Sequence, residues 1–148
     1  MKNFLFLIIL SLCLIPNKII LASSISMYST EYINTTESFK VLIAVDSEGV
    51  TFNSLDVIVG FDSKLVDFVG FQDSDTLFKN WIQKPVLLEE GKIQMTGIVP
   101  GGISGVYNPN KKDLENIKVV YLVFKAKKEG LARLVFNKNV ILFIQTVS

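Results

Sequence analysis

The amino-acid sequence predicts an all-β domain of about nine strands, folded as a sandwich or a barrel. From Ile25 onward, apolar and polar residues alternate with the period of two that is typical of strands with one buried face. Short turns rich in Gly, Asp, Asn and Ser separate these runs. No segment after Ile25 repeats its apolar residues at helical spacing, so we expect no helix in the core.

The predicted strands follow one another closely along the chain. SISMYST is the first and FKVLIAV is the second, and the apolar side chains on one face of the second are Phe39, Val41, Ile43 and Val45. KVVYLVFKA is apolar on both faces, as expected of a central strand covered by the core on one side and by loops or a partner on the other. The other predicted strands are FNSLDVIVGF, LVDFVGF, PVLLEE, KIQMTGIV, ARLVFNK and NVILFI.

The alternation is clearest in the strand from Phe52 to Phe61, which ends at the turn Asp62-Ser63-Lys64. Because successive side chains of a strand point to opposite faces, its residues divide into two sets. The set expected to face the core is Leu55, Val57, Val59 and Phe61. The set expected to face water or a partner is Ser54, Asp56, Ile58 and Gly60.

The segment QDSDTLFKNWIQK loses this period and should bridge two sheets, with at most one helical turn from Thr76 to Asn80 behind Asp75 as its cap. It contains Trp81, the only tryptophan. An exposed indole would be a stacking platform for a sugar ring, and Tyr107 in the following long loop is a weaker candidate of the same kind. Alternatively, Trp81 plugs one end of the sandwich.

Residues 1–24 have the pattern of a signal peptide, which leaves residues 25–148 as the folded domain. The apolar run FLFLIILSLCLI follows Lys2, and cleavage is expected near Ala22 to Ser24. An uncleaved membrane anchor is the alternative, since Phe4 to Ala22 is long enough to cross a hydrocarbon core of ~30 Å. Lys18 within that span argues against the anchor. The sequence therefore predicts a secreted or cell-surface protein that contacts a membrane only through this segment.

Composition excludes several kinds of chemistry from the mature chain. Histidine is absent and the one cysteine, Cys13, lies in the leader, so no disulfide, thiolate, imidazole or ordinary zinc site is available. An exported protein without disulfides suits a bacterial envelope or exterior. Loss of Lys2 and Lys18 leaves thirteen basic residues against fourteen acidic ones, a net charge of −1. Such a domain is not expected to bind nucleic acid.

The acidic residues do not predict a catalytic or metal site. Asp73, Asp75 and Glu89-Glu90 supply the paired carboxylates that a glycosidase uses, but their spacing in a β-protein does not bring two of them across a cleft. Asp46 with Glu48, or Asp73 with Asp75, offers oxygen ligands for calcium without the EF-hand pattern. We therefore expect no enzyme activity, no cofactor and no bound metal.

The order of FKVLIAVD, FNSLDVIVGFDSKLVDFVGF, KIQMTGIV with Pro100-Gly101-Gly102, and VVYLVFKAKKEGLARLVF resembles the cohesin domain family over roughly Ser26 to Phe143. The resemblance implies a nine-stranded jelly-roll β-sandwich related to carbohydrate-binding modules. Cohesins are non-catalytic receptors that hold dockerin modules, often on cell-surface scaffolds.

The family commonly binds dockerin through a flat sheet face with a polar residue followed two positions later by an Asp on the third strand. Aligned with that pattern, Ser54 and Asp56 occupy these positions, although the family often has Asn where Ser54 stands. Cohesins usually continue beyond the last long strand, whereas this sequence ends at FIQTVS, so a shortened final strand is expected to leave an edge or a core residue uncovered.

Three functions remain open on the sequence. The first is an exported, non-catalytic module that binds a dockerin-like protein through Ser54, Asp56 and Ile58. The second is a carbohydrate-binding module that holds a polysaccharide on Trp81 and Tyr107. The third is a structural envelope subunit that assembles by adding a strand to an incomplete edge.

Overall fold

Ten strands in two sheets make up the described part of the chain in the computed structural model, which covers residues 24–30, 32–47, 50–104, 117–136 and 140–147. The strands are β1 (Ser24–Tyr28), β2 (Tyr32–Asn34), β3 (Ser38–Asp46), β4 (Phe52–Phe61), β5 (Val66–Gln72), β6 (Asn80–Glu89), β7 (Lys92–Ile103), β8 (Lys118–Ala126), β9 (Gly130–Phe136) and β10 (Val140–Val147). Residues 1–23 of the predicted leader and Tyr107 lie outside the described residues.

One sheet has four strands in the order β1-β3-β8-β5, and the other has six in the order β2-β10-β9-β4-β7-β6. The strands pair antiparallel except for β2, which runs parallel to β10. The nine predicted strands correspond to β1 and β3 to β10, which confirms the all-β sandwich. The tenth strand, β2, is only three residues long, too short for its alternation to be recognised.

Aromatic side chains lock the two sheets together around Phe124, which is fully buried in β8. Its ring centroid lies 5.7 Å from that of Phe39 in β3 and 5.8 Å from that of Phe68 in β5. From the opposite sheet, Phe61 in β4 approaches edge-on at 5.3 Å. Each such pair is worth about 0.5–1.5 kcal/mol beyond the area that it buries.

The predicted division of β4 is confirmed. Val57 and Val59 are buried, and Leu55 and Phe61 pack partly buried against the same core. On the other face, Ser54 and Asp56 are exposed, and Ile58 is half-buried. β8 is central, between β3 and β5, and both of its faces are buried or half-buried from Val119 to Phe124, also as predicted.

The end of the chain does not form the exposed edge that the sequence suggested. β10 lies between β9 and β2, with Gln145 opposite Tyr32 and Val147 opposite Asn34. The Thr35 amide donates a hydrogen bond to the Val147 carbonyl at 2.5 Å. The expectation was wrong because β2, too short to recognise in the sequence, covers that side of β10.

Residues 73–79 bridge the two sheets as predicted, but they form turns and not a helical turn. The Thr76 amide and hydroxyl both donate to the Asp73 carbonyl, at 3.4 Å and 2.9 Å. Leu77 N–H donates to the Lys118 carbonyl, and the Lys118 ammonium lies 3.4 Å from the Asp75 carboxylate.

Burial tends to lower the pKa of Lys118, but interactions with Tyr121 and Asp75 outweigh it and raise that pKa.

Phe78 closes one end of the core from this bridging segment. Its side chain is fully buried and stacks on Phe52 with ring centroids 6.3 Å apart. It also lies directly over Gly97 in β7, where an added Cβ would be 2.3 Å from Phe78 Cδ1. The glycine is therefore required by the close approach of an aromatic ring to the sheet.

We predict that Gly97→Ala lowers the free energy of unfolding by about 1–3 kcal/mol, because the new methyl group overpacks against Phe78. Urea unfolding monitored by circular dichroism measures this loss. The double variant Gly97→Ala/Phe78→Leu should lose less stability than the sum of the two single variants, because the smaller side chain makes room for the methyl group. Additive losses would contradict the proposed contact.

Candidate docking face

The outer face of β9, β4, β7 and β6 in the six-stranded sheet forms a continuous surface, here named the docking face. The register of β4 and β7 determines which side chains meet there, because residues opposite each other share a face. The opposed pairs on the docking face are Ser54 with Ile98, Asp56 with Thr96, Ile58 with Gln94, and Gly60 with Lys92. The three predicted partner-binding residues thus lie in one row along its centre.

Asp56 is held in place by its neighbour across the strands. Thr96 Oγ1 donates a hydrogen bond to Asp56 Oδ1 at 2.9 Å. Both side chains belong to rigid, paired strands, and Asp56 remains exposed. A carboxylate has about four lone-pair sites, so Asp56 can accept further hydrogen bonds from a partner. Sequence reasoning missed Thr96, whose only signal was its polar place in the alternation of KIQMTGIV.

One side of the docking face is apolar. β6 is an edge strand that pairs only with β7, and it exposes Ile82 at 70%, Val86 at 45% and Leu88 at 54%. Val86 is opposite Gln94, which puts it on the docking face with Ile58. A group of exposed apolar side chains is typical of surfaces that bind other proteins.

Trp81 lies on the other side of the sheet, with the core. It is opposite Gly97 and packs against Phe71 and Phe78, with ring centroids 6.2 Å and 6.0 Å away. Its indole Nε1–H donates to Asp73 Oδ2 at 2.9 Å. The side chain is half-buried and its polar atom is already bonded, which fits a plug and not a free stacking platform.

Four of the acidic residues considered above have structural partners, and Glu48 lies outside the described residues. Asp73 accepts from Trp81, Asp75 pairs with Lys118, Glu89 pairs with Lys92, and Glu90 Oε1 accepts from Ser63 at 2.9 Å. Within the described ranges, no three Asp, Glu, His or Cys side chains are grouped so that they could hold a metal ion. No helix capable of crossing a membrane occurs among the same residues.

Comparison with solved structures finds cohesin modules with a similar arrangement of strands. The cohesin module of a family 33 glycoside hydrolase from Clostridium perfringens superposes with a TM-score of 0.60 at 9% identity, covering 84% of this chain and 96% of that one. The sixth cohesin of scaffoldin B from Acetivibrio cellulolyticus, solved in complex with a Cel5 dockerin mutant, gives 0.60 at 14%, covering 86% and 95%. CaCohA2 from Clostridium acetobutylicum gives 0.55 at 13%, covering 81% and 78%.

No protein-family model and no curated protein sequence matches this chain. The likeness therefore lies in the arrangement of strands and not in the sequence as a whole, as identities of 9–14% indicate. The aligned residues cover most of both chains in each of the three comparisons. This chain accordingly forms a cohesin-like domain, with the jelly-roll sandwich fold of cohesin modules.

Proposed function

We propose that this protein is a non-catalytic recognition module that binds a protein partner of the dockerin type through the docking face. The fold supports this proposal, because related cohesin modules have been solved in complex with dockerins. The observation that carries it is the exposed Asp56, fixed by Thr96, at the centre of the docking face. Ser54 and Ile58 extend the same row on either side.

The docking face is large enough for a specific interface. β4 has ten residues, and at ~3.3 Å per residue and ~4.8 Å between strands, four strands offer on the order of 600 Å². A standard interface buries about 800 Å² on each partner, so this face supplies most of that area. Binding to paired strands also requires little reordering of the receptor, which reduces the entropy lost on association.

We also propose that the protein is exported and acts outside the cell or at its surface, in polysaccharide degradation or in cell-surface assembly. The leader-like pattern of residues 1–24 supports this. Expression of the full chain in a bacterium, followed by mass measurement of the exported product, tests the proposal. A mature N-terminus near Ala22 to Ser24 is expected. An uncleaved chain that begins at Met1 and is found in the membrane fraction would favour the anchor.

The two other functions have less support. The buried side of Trp81 and its bond to Asp73 disfavour the carbohydrate-binding alternative at that residue. Assembly by strand addition would need an accessible, regular edge. β10 is covered by β2, and β6 has several register shifts and contains the buried Pro85, features that oppose pairing with a further strand.

We predict that Asp56→Ala weakens binding to the partner at least tenfold, because a partner donor loses its charged acceptor. The full chain with a C-terminal affinity tag is used as bait against the exported proteins of its own source, and retained proteins are identified by mass spectrometry. A retained protein with a small duplicated module is then purified, and its affinity is measured by calorimetry.

The matched control is Asp67→Ala, which removes an equal charge from the opposite sheet. Asp67 pairs with Lys127 at 2.9 Å at the surface, and such pairs contribute only about 0–1 kcal/mol to stability. The control should therefore leave affinity unchanged within twofold. Equal affinity of the Asp56→Ala and unsubstituted proteins would show that binding uses another surface.

We predict that soluble oligosaccharides such as cellohexaose and xylohexaose leave the fluorescence of Trp81 unchanged. This is the only tryptophan, so emission reports on its surroundings alone. Its ring already packs on Phe71 and Phe78. A saturable shift in emission, together with retention of the protein on insoluble polysaccharide, would instead favour sugar binding.

A further inference from the structure

A cleft of about 440 Å³ lies at one end of the docking face, where the turn after β4 approaches the β6–β7 turn and β9. Its lining includes Gly60, Asp62, Lys64, Gly91 and Arg133. Gly60 belongs to the same face of β4 as Asp56 and Ile58, because it follows them at intervals of two residues. The cleft is therefore continuous with the row of residues proposed to bind the partner.

Two glycines keep the floor of the cleft open. A Cβ at Gly60 would lie 3.0 Å from Val135 Cγ2. Gly91 has φ +75°, and a Cβ there would lie 2.9 Å from the Phe61 carbonyl oxygen. The Gly91 carbonyl in turn accepts a hydrogen bond from Phe61 N–H at 2.8 Å, which ties the two turns together. The cleft is thus a rigid feature of the strand pairing.

The anionic groups around the cleft are engaged locally. Asp62 Oδ1 accepts a hydrogen bond from the Lys64 backbone amide at 3.0 Å. Glu90 Oε1 accepts one from Ser63 Oγ at 2.9 Å. These interactions hold both carboxylates to the turns that carry them.

The cationic groups are more available. Three cations line the cleft, and only Lys92 has a described ion-pair partner, Glu89. The Arg133 guanidinium and the Lys64 ammonium are exposed, and neither donates a hydrogen bond to, or forms an ion pair with, a residue in the described ranges. The groups left to meet a ligand are therefore positively charged.

We propose that this cleft accepts a carboxylate, from an Asp or Glu side chain of the partner. The inference rests on the proposed function and adds the chemistry of one contact. A guanidinium presents paired N–H donors that match the two oxygens of a carboxylate, and Lys64 adds a second positive charge. The nearby Asp62 and Glu90 disfavour a polyanion such as a phosphate group more than a single carboxylate, because their repulsion grows with the charge of the ligand.

A partner side chain fits this cleft better than a free anion does. Exposed cations in water attract a small anion weakly, since solvent and salt screen the charge. A bound protein excludes water from the same surface and strengthens the attraction. The carboxylate is therefore expected to bind firmly only as part of the larger interface.

The spacing of the two charged regions constrains the partner. Gly60 is four residues beyond Asp56 in β4, which corresponds to ~13 Å along the strand. The partner should carry a hydrogen-bond donor for Asp56 and a carboxylate ~13 Å away. On an α-helix, this separation corresponds to roughly nine residues.

The first arm of the test uses the purified partner identified above and calorimetry at low and high salt. Lys64→Gln/Arg133→Gln should weaken binding at least tenfold at low salt and reduce its salt dependence. The matched control, Lys40→Gln/Lys125→Gln, removes the same charge from exposed positions of β3 and β8 in the other sheet and should stay within twofold. The contacting Glu or Asp of the partner is then changed to its amide. This change should weaken binding to the unsubstituted protein but not to the Lys64→Gln/Arg133→Gln variant.

The second arm needs no partner. N-acetylglutamate amide is titrated into the isotope-labelled full chain, with N-acetylglutamine amide as the neutral control. Only the charged ligand should shift the Gly91 amide and Arg133 Nε–H signals, saturating at high millimolar concentration, and the cleft variant should abolish the shift. Equal shifts with both ligands, or none at these signals, would overturn the cleft assignment.

The two proposals can fail separately. If Asp56→Ala weakens binding of the partner and Lys64→Gln/Arg133→Gln does not, the carboxylate site is wrong and the docking face stands. If neither variant changes the affinity of a bound partner, the docking face is wrong. If no protein partner is retained but the glutamate-specific shifts occur, the cleft binds carboxylates and the proposed dockerin-type function is wrong.

Discussion

The packing of Phe124 between the sheets is the interaction on which the rest of the structure depends. Phe39 and Phe68 flank it within its own sheet, and Phe61 meets it from β4. Because side chains alternate along a strand, directing Phe61 and its apolar neighbours inward directs Asp56 outward. A shift of one residue in β4 would reverse both sets. The core thus determines which residues of this strand a partner can reach.

The strands and the outward row of β4 could be predicted because each depends on local alternation. Asp56 and its opposing Thr96 are forty residues apart, and their contact depends on the register of β4 with β7, which alternation does not specify. The short β2 was missed because three residues do not show alternation, and its parallel pairing with β10 was missed with it. The close contact of Phe78 with Gly97 likewise became visible only in three dimensions.

The docking face combines three kinds of chemistry on one rigid surface. Asp56 supplies a fixed hydrogen-bond acceptor at the centre of the face. Val86 supplies apolar area on β6, and Arg133 supplies positive charge at the cleft. Such an arrangement favours one orientation of a partner, since a reversed partner would place its carboxylate against Asp56 and lose the cationic contact. Specificity would then come from the separation of the charges as well as from their number.

In the proposed complex, the outer face of the six-stranded sheet meets the partner, and that of the four-stranded sheet does not. Since Cys13 is the only cysteine and lies in the predicted leader, single cysteines can be introduced and labelled selectively in the exported protein. An environment-sensitive fluorophore at Ser54→Cys, with one at Lys125→Cys as control, reports burial of either face by the purified partner. We expect a saturable change in the Ser54→Cys signal and none at Lys125→Cys. A response at Lys125→Cys alone would contradict this expectation.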